Sequence, residues 1–227
     1  MNKQLHLFLI LFTLILVYAC TGKKQTGNAD DTSHAGNMSF SKSDEDRFQI
    51  TCWGVGDIDL DDDMASLEEK FGKENISQDS LFLEGMFETM ITVLWKDKPE
   101  EISIRWKDNA GQGKTIDFLE IYRPGSPYHF ANGIKIGTKL DEIVALNGDK
   151  PVFIYGFGWD YGGTFVDFGE GKLKGDIPCF GGVFGLDDEK SADGLSQILG
   201  DQKISSSHPV LKKHSASLLK IRIMNKS

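Results

Sequence analysis

Lysine and arginine are nowhere massed in this sequence. They number 25 against 34 acidic residues, for a formal charge of −9 and a pI near 5.0. Nucleic-acid phosphates demand a cationic face, so no nucleic-acid partner is expected. Electrostatic adhesion to anionic lipid headgroups is excluded on the same ground. Histidine is scarce as well. His34, His129, His208 and His214 show no ligand-like spacing, and no H-x-x-x-H or C-x-x-C pair offers a zinc site. There is no G-x-S-x-G elbow, and the glycine-rich stretch 156–163 has no Lys-Ser or Lys-Thr ending, so it is not a phosphate loop. The sequence therefore selects no catalytic residue, no metal and no cofactor. Carboxylate pairs for glycoside hydrolysis are set in three dimensions rather than by spacing, which keeps an envelope hydrolase as one reading.

Long apolar runs are missing too. The longest, Leu5 to Tyr18, is interrupted by His6 and Thr13 and falls short of the ~20 residues that span a bilayer. A basic start, a short apolar core and a small residue before a cleavage point describe a secretory signal over 1–19. The ending Val17-Tyr18-Ala19-Cys20 resembles the lipobox of bacterial lipoproteins. That resemblance implies cleavage before Cys20 and acylation of its thiol. It places the protein in the bacterial cell envelope, lipid-anchored, with the outer membrane as the expected membrane. The segment after it, to residue 47, is rich in Gly, Ser, Thr, Asp and Lys, and its few apolar residues have no period. Such a composition reads as a tether.

Cysteine numbers only three. With Cys20 assigned to lipid, Cys52 and Cys179 remain, in a compartment where a disulfide can persist. A bond between them and two buried free thiols are both open on the sequence. A nucleophile paired with His129 is a further possibility that no spacing selects.

What the chain does have is one stretch twice. A shift of 76 positions lays Ile58 on Ile134, Leu60 on Ile136, Met64 on Leu140, Leu67 on Ile143 and Gly72 on Gly148. It also lays Asp62 on Thr138, both good caps for the helix that follows. Each copy reads as a strand, a cap, a short helix and a terminating glycine, which predicts an α+β protein of two related halves, 48–130 and 131–227. In the first half, strands are expected at 50–53, 58–60, 81–83, 89–95, 101–106 and 115–122, the last three forming an antiparallel meander with a helix over 63–71 across one face. A proline- and glycine-bearing joint, 123–132, leads to a strand at 134–136 and a helix at 140–146. Further strands are expected at 152–157, 164–168, 183–186 and 218–223, with a short helix at 192–199.

The second copy, with Ile134, Ile136, Gly137, Leu140, Ile143, Gly148 and Pro151, resembles the β-lactamase-inhibitor-like fold, including the outer-membrane lipoproteins that assist β-barrel assembly. The first copy departs from the pattern, with Asp61 in place of Gly137. The resemblance implies helical segments laid on antiparallel sheets, and a protein that binds other proteins without doing chemistry.

Two local stretches bear on function. Asp57, Asp59, Asp61, Asp63 and Glu68 match the spacing of a calcium loop, but Asp62 stands where the sharp turn needs glycine and no helix precedes it. An acidic helix start accounts for the run. Gly156-Phe157-Gly158-Trp159-Asp160-Tyr161-Gly162-Gly163 sets three aromatics among glycines. It suits either a tight hairpin whose rings fill the core or an exposed stacking platform. In the second case Trp159 and Tyr161 are the expected anchors, with Phe157 and Asp160 beside them and Tyr128 and His129 at the joint. The expected partner is an envelope protein or, in the alternative, a glycan, with the bilayer reached through Cys20.

Overall fold

Four consecutive strands build most of the largest sheet. The computed structural model describes residues 46–108, 113–188 and 194–224, all within one compact unit, Ser41–Ser227. The signal, Cys20 and nearly all of the tether lie outside the described residues.

The elements run β1 (Gln49–Thr51), β2 (Gly54–Val55), β3 (Ile58–Asp59), α1 (Met64–Phe71), β4 (Ile76–Leu83), β5 (Met86–Leu94), β6 (Ile102–Trp106) and β7 (Ile116–Ile121). They continue as β8 (His129–Phe130), α2 (Leu140–Leu146), β9 (Phe153–Tyr155), β10 (Phe165–Asp167), α3 (Leu173–Asp176), β11 (Phe180–Leu186), β12 (Lys203–Ser205), α4 (Pro209–Lys213) and β13 (Ala216–Met224). The protein is α+β, and mostly β. A six-stranded antiparallel sheet has the order β11-β13-β7-β6-β5-β4. It takes strands from both halves of the sequence, so the halves share one sheet and one core. Smaller sheets, β3-β2-β1-β8 and β10-β9-β12, flank it.

The large sheet supplies much of the core. Ile102 and Ile104 of β6, Leu119 and Ile121 of β7, and Leu218, Ile221 and Ile223 of β13 are all buried. Leu67 of α1 and Ile143 of α2 are fully buried in the same cluster. At eight and seven residues these helices are too short to persist alone, and burial of those side chains holds them. Among the described residues no helix is long and apolar enough to cross a membrane.

The two turn–helix units agree down to individual hydrogen bonds. The Asp62 carboxylate accepts from the Asp59 amide at 2.9 Å, and the Thr138 hydroxyl accepts from the Lys135 amide at 3.0 Å. The amides of Asp62 and Thr138 donate in turn to the carbonyls of Asp59 and Lys135. Leu67 donates to Asp63, and Ile143 to Lys139, to open each helix. Gly72 (φ +79°) and Gly148 (φ +72°) close them in the left-handed region that favours glycine.

This pairing corrects the expected caps by one residue. Asp62 and Thr138 brace the preceding turn, and the N-caps are Asp63, which accepts from the Ser66 amide at 2.8 Å, and Lys139, whose amide donates to Glu142. Three other expectations change. Residues 134–136 form a single bridge, Lys135 to His129, rather than a strand. The segment 192–199 holds a 3-10 turn at Leu195–Gln197, its first two residues lying outside the described set. Strand 81–83 is the end of the eight-residue β4.

Asn147 ends α2 and ties it to the chain beyond. It is fully buried, its Nδ2 donating to the carbonyls of Phe168 (2.9 Å) and Lys150 (3.1 Å) and its Oδ1 accepting from the Leu173 amide (3.1 Å). Asn147→Ala leaves the buried Phe168 carbonyl and Leu173 amide without their partner. It should cost about 2 kcal/mol, read as a lower urea midpoint at unchanged m-value.

Candidate functional site

Two segments meet at one rim of the molecule: the 156–163 stretch and the turn between β4 and β5. The first leaves β9 and is pinned from both sides. Gly156 donates to the Gln202 carbonyl at 2.9 Å, Phe157 donates to Ile198 at 2.8 Å, and Phe157 accepts from Gly200 at 3.0 Å. A side chain at Gly156 would strike the Gly200 carbonyl, since its Cβ would lie 2.4 Å away. Gly163, at φ +72°, lies against β11, where its carbonyl accepts from Phe184 at 2.8 Å. Between these fixed ends the chain turns outward, closed by Gly162 donating to Trp159 at 2.8 Å.

The sequence left the direction of the aromatics open, and the structure divides them. Phe157 is 6% exposed and belongs to the core, whereas Trp159 is 67% and Tyr161 55% exposed. Phe157 is therefore withdrawn as a contact residue: its pinned backbone turns its ring inward, and that ring supplies the filler a glycine-rich hairpin needs. Tyr128 is withdrawn too. It is 3% exposed, meets Phe48 edge-on at 5.7 Å, and its hydroxyl pKa is pushed up by burial. His129 is half-buried in β8, its Nδ1 3.0 Å from the Pro127 carbonyl. Neither lines the groove beside Trp159. Asp160 is exposed between the two aromatics.

That groove has a volume of about 1220 Å³. Tyr155, Trp159 and Tyr161 give it three aromatic side chains, and Glu84, Asp160 and Asp201 give it three carboxylates. No lysine or arginine lines it. Glu84 and Gly85 come from the β4–β5 turn, where both residues have positive φ (49° and 75°). Two successive residues in that conformation make the tight turn whose twist suits a hairpin. The same tip exposes Phe82, Met86 and Phe87, with Phe82 and Phe87 in edge contact at 6.1 Å. Sequence reasoning did not single out this tip. The signal was Glu84-Gly85 set between Leu83 and Met86, a two-residue turn flanked by apolar residues.

No known relative identifies the site. The chain matches no family model, no curated protein and no solved structure. Chemistry at the remaining candidates is limited by their partners. The sulfurs of Cys52 and Cys179 are bonded, with the Cα atoms 5.3 Å apart, so neither is a thiolate nucleophile for His129. Lys70 Nζ lies 3.1 Å from Asp59 and 2.8 Å from Asp62, filling the acidic run with a protein cation. Among the described residues no three His, Cys, Asp or Glu side chains converge as metal ligands.

Proposed function

We propose that this is an exported lipoprotein, held at the bacterial envelope through acylated Cys20, whose α+β body is a non-catalytic module binding another envelope protein. One observation carries the reading: Trp159 and Tyr161 stand exposed on a loop whose two ends are fixed. Clustered apolar exposure on a soluble body marks interaction sites, and Trp and Tyr are the residue types enriched at binding hot spots. Fixed loop ends lower the entropy lost on capture. The tether gives the body reach from the lipid surface.

Trp159→Ala should reduce capture of the partner from native envelopes about tenfold or more. It should leave the thermal midpoint within about a degree, because the ring contributes little to the core. Equal capture by both proteins would remove the groove from the function.

A glycan is the second reading, favoured by the pairing of flat aromatic faces with carboxylate acceptors in one groove. A glycan array probed with the wild type and with Trp159→Ala separates the two: ring-dependent sugar binding establishes the second.

A further inference from the structure

The charge of the groove narrows the partner. Glu84, Asp160 and Asp201 are all exposed, all line the same groove, and none is paired with a cation among the described residues. Several carboxylates elsewhere at the surface carry a cation: Asp79 is paired with Lys96 at 2.8 Å, Asp176 with Lys172 at 2.6 Å and Glu88 with Arg105 at 3.1 Å. The groove thus sets three unanswered negative charges beside three aromatic side chains. Aromatic faces and carboxylates attract the same kind of group, a cation, and both repel an anion.

We propose that the groove takes a lysine- or arginine-bearing extended segment of a partner protein, the cationic side chain lying against Trp159 and Tyr161 with Glu84, Asp160 and Asp201 around it. This rests on the binding reading above and names the partner's chemistry. A protein segment fits better than a lone small cation. The space exceeds the ~300–1,000 Å³ of a typical small-molecule pocket, and the tip residues Phe82 and Met86, on either side of Glu84-Gly85 in the chain, offer apolar contacts to residues flanking the cation. A neutral sugar would stack on the rings but would leave the three charges without a counterpart.

The test is calorimetric titration of the full chain with a short peptide of arginine and leucine. The same peptide with glutamate for arginine and a neutral chito-oligosaccharide serve as comparisons. The arginine peptide should bind, the glutamate peptide should not, and affinity should fall as salt rises. Trp159→Ala should weaken binding about tenfold. The triple variant Glu84→Gln, Asp160→Asn, Asp201→Asn should also weaken it about tenfold and flatten the salt dependence, with the thermal midpoint unchanged. Failure of the arginine peptide to bind, or equal binding by the triple variant, overturns the proposal. Salt-insensitive binding of the oligosaccharide that depends on Trp159 also overturns it, replacing the cation with a sugar. These failures are distinct from failure of the binding reading, which is decided by whether envelope capture depends on Trp159.

Discussion

Glu101→Gln should destabilise the folded chain by about 3 kcal/mol at neutral pH, with the loss fading as the solution is acidified. Glu101 is 1% exposed, immediately before β6, and its carboxylate is held from three sides. The Tyr122 hydroxyl donates to one oxygen, while Arg123 Nη2 and the Asp97 amide donate to the other. The register of β6 on β7, with Ser103 opposite Glu120, continues to bring Glu101 opposite Tyr122. Arg123 also reaches Asp97 at 2.7 Å, so one carboxylate joins the β5–β6 turn to the end of β7. Burial works against the charge, but the hydrogen bonds from Arg123, Tyr122 and the Asp97 amide outweigh it and hold the Glu101 pKa below its ordinary 4.5. Burial, then the Glu101 charge, pushes the Tyr122 hydroxyl up to about 12, so it remains a donor throughout the neutral range.

The sign follows from the direction of the Glu101 shift. A carboxylate whose folded pKa is depressed contributes stability that is fully present above the unfolded value and is lost as pH falls through the folded one. Wild type and variant should therefore differ most above pH 4.5 and converge only as the pH falls through the depressed folded value, below which Glu101 is itself neutral. Removing one partner of a buried pair typically costs ~3–5 kcal/mol, and the partial exposure of Arg123 sets the expectation at the lower end. Urea denaturation of both proteins across acid pH measures it. Glu69→Gln, on the exposed face of α1, is the control and should shift stability by less than about 0.5 kcal/mol. A pH-independent difference would assign the loss to packing rather than to charge.

The sequence made some of this plain and hid the rest for identifiable reasons. Helices α1 and α2 were legible because Leu67 and Ile143 recur at helical spacing between a polar start and a glycine stop. Strand β4 was mostly hidden. Ile-Ser-Gln-Asp-Ser carries no alternation of its own, and the strand exists because β5 pairs along all of it. Strands β8 and β12, of two and three residues, and helices α3 and α4, of four and five, are too short to display a period. At α1 the cap was displaced by one residue because Asp61, Asp62 and Asp63 are equally suited to the role and only tertiary geometry chooses among them. The Glu101 network was invisible for a similar reason: which residue faces Tyr122 is a matter of register. At the groove, composition identified the right segment but not its direction. Tyr155 and the β4–β5 tip come to it from elsewhere in the chain, and no local pattern joins them to Trp159.

Removing the Cys52–Cys179 bond should have the largest effect on stability of any change considered. Cys52 lies in the turn between β1 and β2, and Cys179 stands just before β11, so the bond fastens a small sheet to the edge of the large one. It closes a separation of 127 residues. On chain entropy alone, closing a loop of that length removes about 4–5 kcal/mol of unfolded-state freedom. For a domain of this size, losing that contribution should lower the thermal midpoint by on the order of 10 °C. The double variant Cys52→Ser, Cys179→Ser and the reduced wild type should fall together, whereas either single variant should fall at least as far, since it leaves a thiol without its partner. A midpoint unchanged by complete reduction would overturn this account, since the bond would then contribute no net stability. The proposed export and this bond depend on each other: in a reducing compartment the thiols would be kept apart. Protein made in a reducing cytosol should then melt at the lower temperature and regain the higher one on oxidation, and in denaturant its two body thiols should be alkylated before that oxidation and blocked after it.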